Sequence, residues 1–318
     1  MDSLALATNS RRPAAAAPIE PFAQFLEATG HRILRGAGTF WYEAGRGFLL
    51  AVPSHRLLQP SDEEIRALFR LHPCAGLRFS APLDGAGVLS YQIVCDDPDY
   101  GLDRLSANVR SKVRRGLRRC EIAALSFDTI ASEGLPADRD TLARQGRGVR
   151  LEGTSWDRHW RAAAAASTME GWGAIVDGGL AAFLVTVQLD DCVEFLLARS
   201  RTDCLDAYPN NALVYEVARR MLVERRVRQI TFGLESLEDV GALDQFKFGM
   251  GFRQSPLRQR VLFHPLLRTV LGHAGARALL RRWAEGRGAR GGFWQKGLGL
   301  LRFAEAGGDL GSSAQEAA

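Results

Sequence analysis

The stretch from Trp172 to Arg199 leaves this chain few folds to choose from. Trp172–Val176 reads as a strand, Asp177–Gly179 supplies a turn, and Leu180–Leu189 is a long apolar strand. Asp190–Asp191 turns the chain again into a third strand, Val193–Arg199. Tight Asp/Gly turns between extended apolar runs specify an antiparallel meander. A helix follows from Asn211 to about Arg226, with Asn211 as its N-cap. Val214, Val217, Ala218, Met221 and Leu222 line its inner side, and Arg225 and Arg226 suit its C-terminal dipole. Gln229–Gly233 is then a short strand, Leu243–Phe248 a short helix and Leu257–Phe263 a last strand. The order meander, helix, strand, helix, strand predicts an α+β fold.

Upstream, Met1–Pro18 is small, polar and Ala/Pro-rich, the composition of a disordered tail. Phe22–Thr29 reads as a short helix, and Thr39–Glu43 with Arg46–Val52 as a hairpin. Ser61–Arg70 carries a capping box, Ser61 capping while Glu64 reaches back. Leu77–Ala81, Val88–Cys95 and Glu121–Thr129 have strand character, and Asp157–Met169 is helical, with Trp156 and Trp160 four apart on one face. Glu133–Glu152, rich in Gly, Arg and Asp, reads as a mobile loop.

Charge is unevenly placed. Leu102–Cys120 holds seven Arg/Lys between Arg104 and Arg119, with Leu105, Val109, Val113 and Leu117 four apart on one side of a helix. A solvated helix normally mixes both signs, so this one is either a polyanion contact or a linker helix open to water. The chain's net charge is +5; this helix carries +7 and the tail after Pro265 carries +4, which leaves −6 elsewhere. Basicity confined to two segments favours local binding over general adhesion to nucleic acid. The five cysteines show neither a C-x-x-C pair nor metal spacing, as expected of reduced thiols in the cytoplasm. No window reaches the roughly 20 apolar residues of a spanning helix, and the N-terminus lacks the apolar run of a signal sequence. The expectation is a cytoplasmic protein, either free or peripheral on the inner face of the membrane.

Two motifs carry a family resemblance. LSANVRSKVRRGLRRC, Leu105–Cys120, resembles the L-s-x-N-x-R-x-x-x-R-x-x-x-x-x-G/C helix of Fem-like transferases, a branch of the GNAT acyltransferase superfamily that includes peptidoglycan aminoacyl transferases. LDQFKFGMGF, Leu243–Phe252, resembles that family's F-K-x-x-x-G-F segment, and PNNALVYEVARRMLVERRVRQITFG sits where the family places its crossover helix and next strand. The resemblance implies a GNAT-like mixed, largely antiparallel sheet with flanking helices, built as two lobes. Its boundaries would be a tail at 1–20, a degenerate first lobe at 21–101, the basic connecting helix at 102–120, an acyltransferase lobe at 121–265 and a basic amphipathic tail at 266–318. CoA-using relatives carry a Gly-rich loop before the crossover helix, where backbone amides hold the pyrophosphate. Here Ser200–Asn211 reads SRTDCLDAYPNN, without glycine. That departure counts against acyl-CoA and is no objection to aminoacyl-tRNA; no tightly bound cofactor is implied.

Acyl transfer to an amine needs an oriented activated carbonyl, a neutral amine and donors for the developing oxyanion. The chain has no G-x-S-x-G elbow, and Cys192 and Cys204 have no nearby His in sequence. Direct attack by the amine in a ternary complex is therefore expected. Glu194, on an otherwise apolar strand, is either a base for the amine or an outward-facing Glu. Glu235, just beyond a strand end, is the better placed carboxylate. Lys247 would meet a donor phosphate or the oxyanion, or is a surface lysine. Tyr208, Asn210 and Asn211 open the crossover helix, where free amides would hold the donor; Tyr208 serves there as an acid or as packing, and Asn211 also caps. Arg110, Arg114 and Arg118 would hold a phosphate-bearing donor or acceptor such as tRNA or a lipid-linked precursor. His159, between two tryptophans, reads as packing, and the other histidines are isolated.

The tail from Leu266 suggests amphipathic helices with Arg277, Arg281, Arg282, Trp283, Phe293 and Trp294, suited either to an anionic membrane surface or to docking on the domain. Three functions follow: an acyl- or aminoacyltransferase, a CoA-dependent N-acetyltransferase with an atypical loop, or a non-catalytic binding protein for anionic membranes or nucleic acid.

Overall fold

The computed structural model describes residues 16–44, 47–148, 151–235, 241–286 and 292–307; most of the expected N-terminal tail lies outside them. The N-terminal half runs α1 (Glu20–Ala28), β1 (Ile33–Gly36), β2 (Thr39–Glu43), β3 (Phe48–Val52), α2 (Asp62–Leu71), β4 (Gly76–Ala81) and β5 (Val88–Cys95). The basic helix is α3 (Ala107–Arg119), then come β6 (Glu121–Leu125), α4 (Phe127–Glu133), α5 (Leu135–Arg144) and α6 (Thr154–Ala165). The meander is β7 (Met169–Val176), β8 (Gly179–Leu189) and β9 (Cys192–Ser200), followed by α7 (Pro209–Arg219), β10 (Gln229–Leu234), α8 (Gly241–Gly249) and β11 (Arg253–Phe263). Three more helices follow among the described residues: α9 (Pro265–Gly272), α10 (Ala274–Gly286) and α11 (Gly292–Ala306).

The expected α+β class holds. The described strands form one sheet in the order β1-β2-β3-β4-β11-β5-β10-β9-β8-β7-β6. β3–β4 and β9–β10 pair in parallel, and the other neighbours are antiparallel. Asp177 and Gly178, both at positive φ, make the β7–β8 turn that twisted hairpins favour. The capping box of α2 forms as expected: the Ser61 side chain accepts from Glu64 N and the Glu64 carboxylate from Ser61 N.

Local competition accounts for the differences from expectation. The strand expected over Glu121–Thr129 stops at Leu125, because Ser126 caps α4 by accepting from Thr129 N. The loop expected over Glu133–Glu152 holds α5, which buries Ala137, Asp138, Thr141 and Leu142; its polar letters hid a packed face. Asn211 is not the N-cap of the crossover helix: Pro209 takes the first turn after Tyr208, which is left-handed at φ 57°. That helix ends at Arg219 and gives way to a π-helical turn, Arg220–Glu224.

On one sheet face, α3 and α7 cover β5, β8 and β9 with a core that includes Val113, Leu213, Val217 and Ile93, while α2 covers Leu77 and Phe79 of β4. On the other face, Phe40 and Val52 of β2 and β3 share a core with Val187 and Leu189 of β8, beneath α1 and α6. Strands far apart in sheet order meet there, so the sheet curls over this face. Arg56 grips Asp190 with two hydrogen bonds of 2.8 Å across the closure. α3 lies so near α7 that a Cβ on Gly116 would stand 2.8 Å from Tyr208 O and 2.9 Å from Ala212 Cβ. Only glycine permits that approach. Gly116→Val is expected to lower stability by about 1–3 kcal/mol through overpacking, read as a drop in the urea midpoint, whereas exposed Arg114→Ala on the same helix leaves the midpoint within error.

Candidate functional site

β9 and β10 pair only over Cys192–Glu194 and Gln229–Thr231, after which they part. Beyond the fork, Gly233 N turns to Thr231 Oγ1 at 2.9 Å and Glu235 N to Tyr91 O at 2.8 Å. Glu194 stands at the fork on the curled face, beside Gly233: a Cβ there would lie 3.7 Å from Glu194 Oε1. Its carboxylate accepts from Ser54 Oγ at 3.5 Å, and Ser54 Oγ accepts from Gln92 Nε2 at 3.1 Å. One long hydrogen bond does little to offset desolvation, and burial raises the Glu194 carboxyl from 4.5 to about 7.

A second network lies beside it. Arg78 donates through Nε to Gln259 Oε1 at 2.7 Å and through Nη2 to Glu235 O at 3.3 Å. Gln259 Nε2 donates to Ser90 Oγ at 2.7 Å, and Ser90 Oγ donates to Glu235 Oε2 at 2.6 Å. Burial lowers Arg78 to about 10, so the guanidinium keeps its charge at neutral pH. Its hydrogen bonds among the described residues use Nε and Nη2, which leaves Nη1 without one, and the side chain is half-buried. Tyr42, close enough to feel both Glu194 and Arg78, is raised to about 12, chiefly by burial, and stays a neutral phenol. Ser90 and Gln92 are two apart on β5 and so share a face, which sets the two networks about 7 Å apart. A carboxylate that titrates near neutrality can accept a proton, and a fixed cation across Tyr42 from it can stabilise a developing oxyanion.

The sequence expectation placed Glu194, Glu235, Lys247 and the start of the crossover helix around one site. Glu194 and Glu235 belong to two separate networks, one on Ser54 and one on Ser90. Lys247 and the α7 start are on the opposite face: Lys247 Nζ pairs with Asp244 at 2.8 Å and lies 5.6 Å from the Phe232 ring centroid, and Phe232 stacks edge-on against Phe195 in the α7 core. Asn210 Nδ2 donates to Ser200 Oγ at 3.0 Å, and Asn211 Nδ2 meets Met250 Sδ at 3.6 Å. The Tyr208 ring lies under Arg115, 4.9 Å from its centroid. Arg114 and Arg118 are exposed and Arg110 is half-buried on α3, also on the α7 side. Burial raises the Cys192 thiol to about 12, far from a nucleophile. His159 packs edge-on against Trp160 and Phe25.

Sequence reasoning missed Tyr42, Ser54, Arg78, Ser90, Gln92 and Gln259. A signal was present: Arg78 with Ser80, and Ser90 with Gln92, are polar residues at alternate positions of otherwise apolar strands. That pattern looks like an ordinary solvent-facing side until the curl encloses it.

No family sequence model and no curated protein sequence matches the chain; the likeness is one of structure. The chain is similar to FemX, with a TM-score of 0.58 and 12% identity over 79% of this chain and 93% of that one. It is similar also to the C-terminal domain of a protein described as a lysylphosphatidylglycerol synthetase from Agrobacterium fabrum, with a TM-score of 0.52 and 13% identity over 76% and 87% of the two chains. A conserved protein of unknown function from Bacteroides thetaiotaomicron matches with a TM-score of 0.50 and 14% identity over 77% and 92%. The chain therefore shares the fold of FemX, the Fem-like fold that its motifs implied.

The raised carboxyl has a stability consequence. Between pH 4.5 and 7 the folded protein holds a proton on Glu194 that the unfolded chain releases, so stability falls as pH rises through this window and the penalty is complete above 7. Glu194→Gln is expected to match wild type near pH 4 and to exceed it at pH 8, by up to about 3 kcal/mol, in urea titrations at both pH values. An equal difference at the two pH values would mean an ordinary carboxyl.

Proposed function

We propose that the protein moves an acyl or aminoacyl group from an activated donor to an amine, at the fork between β9 and β10. The observation that carries this reading is Glu194, a carboxylate raised to about 7 at the strand fork, with Tyr42 close enough to feel both it and the Arg78 guanidinium. The likeness in fold to FemX agrees with it. The amine attacks the donor's ester or thioester carbonyl and the C–N bond forms. Glu194 takes the amine's proton, and Arg78 Nη1 donates to the carbonyl oxygen as it gains charge. The C–O or C–S bond then breaks, and the leaving group departs with a proton returned from Glu194. Glu235, held by Ser90 and bonded through its carbonyl to Arg78, fixes the guanidinium.

Packing at the crossover helix favours a phosphate-bearing donor other than CoA. The start of α7, where CoA-using relatives hold pyrophosphate, is abutted by α3 at Gly116, and Arg119 Nη1 donates to Asp206 O at 2.9 Å in the preceding turn. Arg114 and Arg118 stay exposed on α3, across the sheet from Glu194, where an RNA or lipid-linked phosphate that reaches round the sheet edge would meet them. The C-terminal helices supply a peripheral contact: Leu266, Val270 and Leu279 are 75%, 55% and 70% exposed near the exposed Arg268 and Arg282, a pairing suited to an anionic bilayer surface. No helix among the described residues is long and apolar enough to cross a membrane. The side chains of Trp283, Phe293 and Trp294 lie outside the described residues.

Glu194→Gln is expected to cut transfer at least about 100-fold, and the wild-type pH profile of kcat/KM should rise to a plateau above about 7. Lys247→Ala should stay within about threefold. Aminoacyl-tRNA and acetyl-CoA, each offered with a mixture of small amines, distinguish the donors by product mass. Full activity in Glu194→Gln removes the enzyme reading, and saturable heat with acetyl-CoA in calorimetry removes the preference against CoA. Leu266→Ser/Val270→Ser should release the protein from phosphatidylglycerol vesicles in a sedimentation assay.

A further inference from the structure

A cavity of about 490 Å³ opens on the curled face beside the fork, within the ~300–1,000 Å³ range of ligand sites. Phe22 and Phe25 of α1, Trp156 and Trp160 of α6, and Leu196 and Leu197 of β9 form much of its wall, and Tyr42 joins it to the polar site. The β8–β9 register shifts between Val185 and Thr186: Thr186 faces Phe195, Val185 faces Leu197, and Leu196 is the extra residue. That bulge is why two consecutive leucines reach one cavity.

Most polar groups on the wall are already engaged, and the cation without a partner among the described residues that line it, Arg158, is exposed to solvent. Thr29 Oγ1 donates to Phe25 O at 2.9 Å, His31 Nδ1 meets Glu43 O at 3.0 Å, Trp156 Nε1 donates to Ala131 O at 2.8 Å, and Ser155 Oγ donates to Glu152 O at 2.7 Å. Asp138 is paired with Arg199. Trp160 Nε1 lacks a partner but is buried out of a ligand's reach. Burial lowers His159 to about 4, so it is uncharged at neutral pH. A polar or charged occupant would leave its hydration for a wall with little to offer, whereas a hydrocarbon chain loses nothing there. Leu196 lies two residues along the strand from Glu194, about 7 Å, so a chain seated in the cavity would present its polar end at the carboxylate.

We propose that this cavity binds an unbranched alkyl chain carried by one of the two substrates, positioning that substrate's reactive end at Glu194. The proposal rests on the transferase reading for its second half, and its test separates the two. Calorimetric titration of the full chain with alkanoates from butanoate to dodecanoate is expected to show affinity rising up to about fourfold per methylene until the cavity is filled. Leu196→Trp should shift that limit to shorter chains, and Leu196→Asp should abolish binding; both act at a residue 37% exposed, where folding tolerates them. Circular dichroism confirms that tolerance, and Leu197→Trp serves if either variant fails to fold. Binding that is absent, or independent of chain length, or unchanged in these variants, overturns the proposal. Glu194→Gln should keep alkanoate binding while losing transfer; if it keeps both, the transferase reading fails and the alkyl site stands. Dodecanoyl-CoA with a short amine, and aminoacyl-tRNA with dodecylamine, then assign the chain to donor or acceptor by product mass.

Discussion

The parting of β9 from β10 is the constraint around which the remaining structure is arranged. Two parallel strands that separate after three pairs leave backbone donors and acceptors without ladder partners, and such groups must be satisfied locally or by water. The chain meets this with Gly233 turned onto Thr231 and Glu235 held by Tyr91. A side chain at the fork is thereby enclosed by two strands that do not touch each other. Glu194 occupies that place, and its titration near neutrality follows from having so few hydrogen-bond partners in so closed a setting.

The curl of the sheet does the rest. With α3 and α7 on one face and α1 and α6 on the other, the sheet is covered on both sides across most of its C-terminal half. Farther along the curled face, enclosed by the curl, is where the polar residues gather: Arg78 and Ser80 from β4, Ser90 and Gln92 from β5, Gln259 from β11. Buried polar networks of this kind are costly unless each member finds a partner. Here the chain from Arg78 through Gln259 and Ser90 to Glu235 is continuous, and the open position is Arg78 Nη1. A donor with no protein partner on a half-buried cation is free to meet an electron-rich oxygen.

Much of this architecture could be read from the letters. The meander, the α2 capping box and the order of elements after Arg199 are local signals, fixed by turn chemistry and periodicity, and they appear where expected. Glu194 and Glu235 stood out because a carboxylate in or beside an apolar strand needs an explanation. What stayed hidden was non-local. Nothing near Arg78 in sequence says that Gln259, supplied by the last strand, will lie against it, nor that Ser54 will reach Glu194 across the closure. Lys247 was drawn toward the site by motif and proved to lie behind the sheet, because α8 crosses to the α7 face after β10. Asn211 lost its capping role to a proline two residues earlier.

The place of β11 between β4 and β5 bears on how the molecule is made. Its partners leave the ribosome early, and β11 itself is among the last strands to emerge. A nascent chain that has reached α8 still carries two unpaired strand edges in its N-terminal half, the kind of edge that recruits stray strands. Gln259 is missing at that stage, so Arg78 is without its chief hydrogen-bond partner. Assembly of the sheet and assembly of the site are thus one late event: the strand that closes the fold also brings the residue that holds the cation.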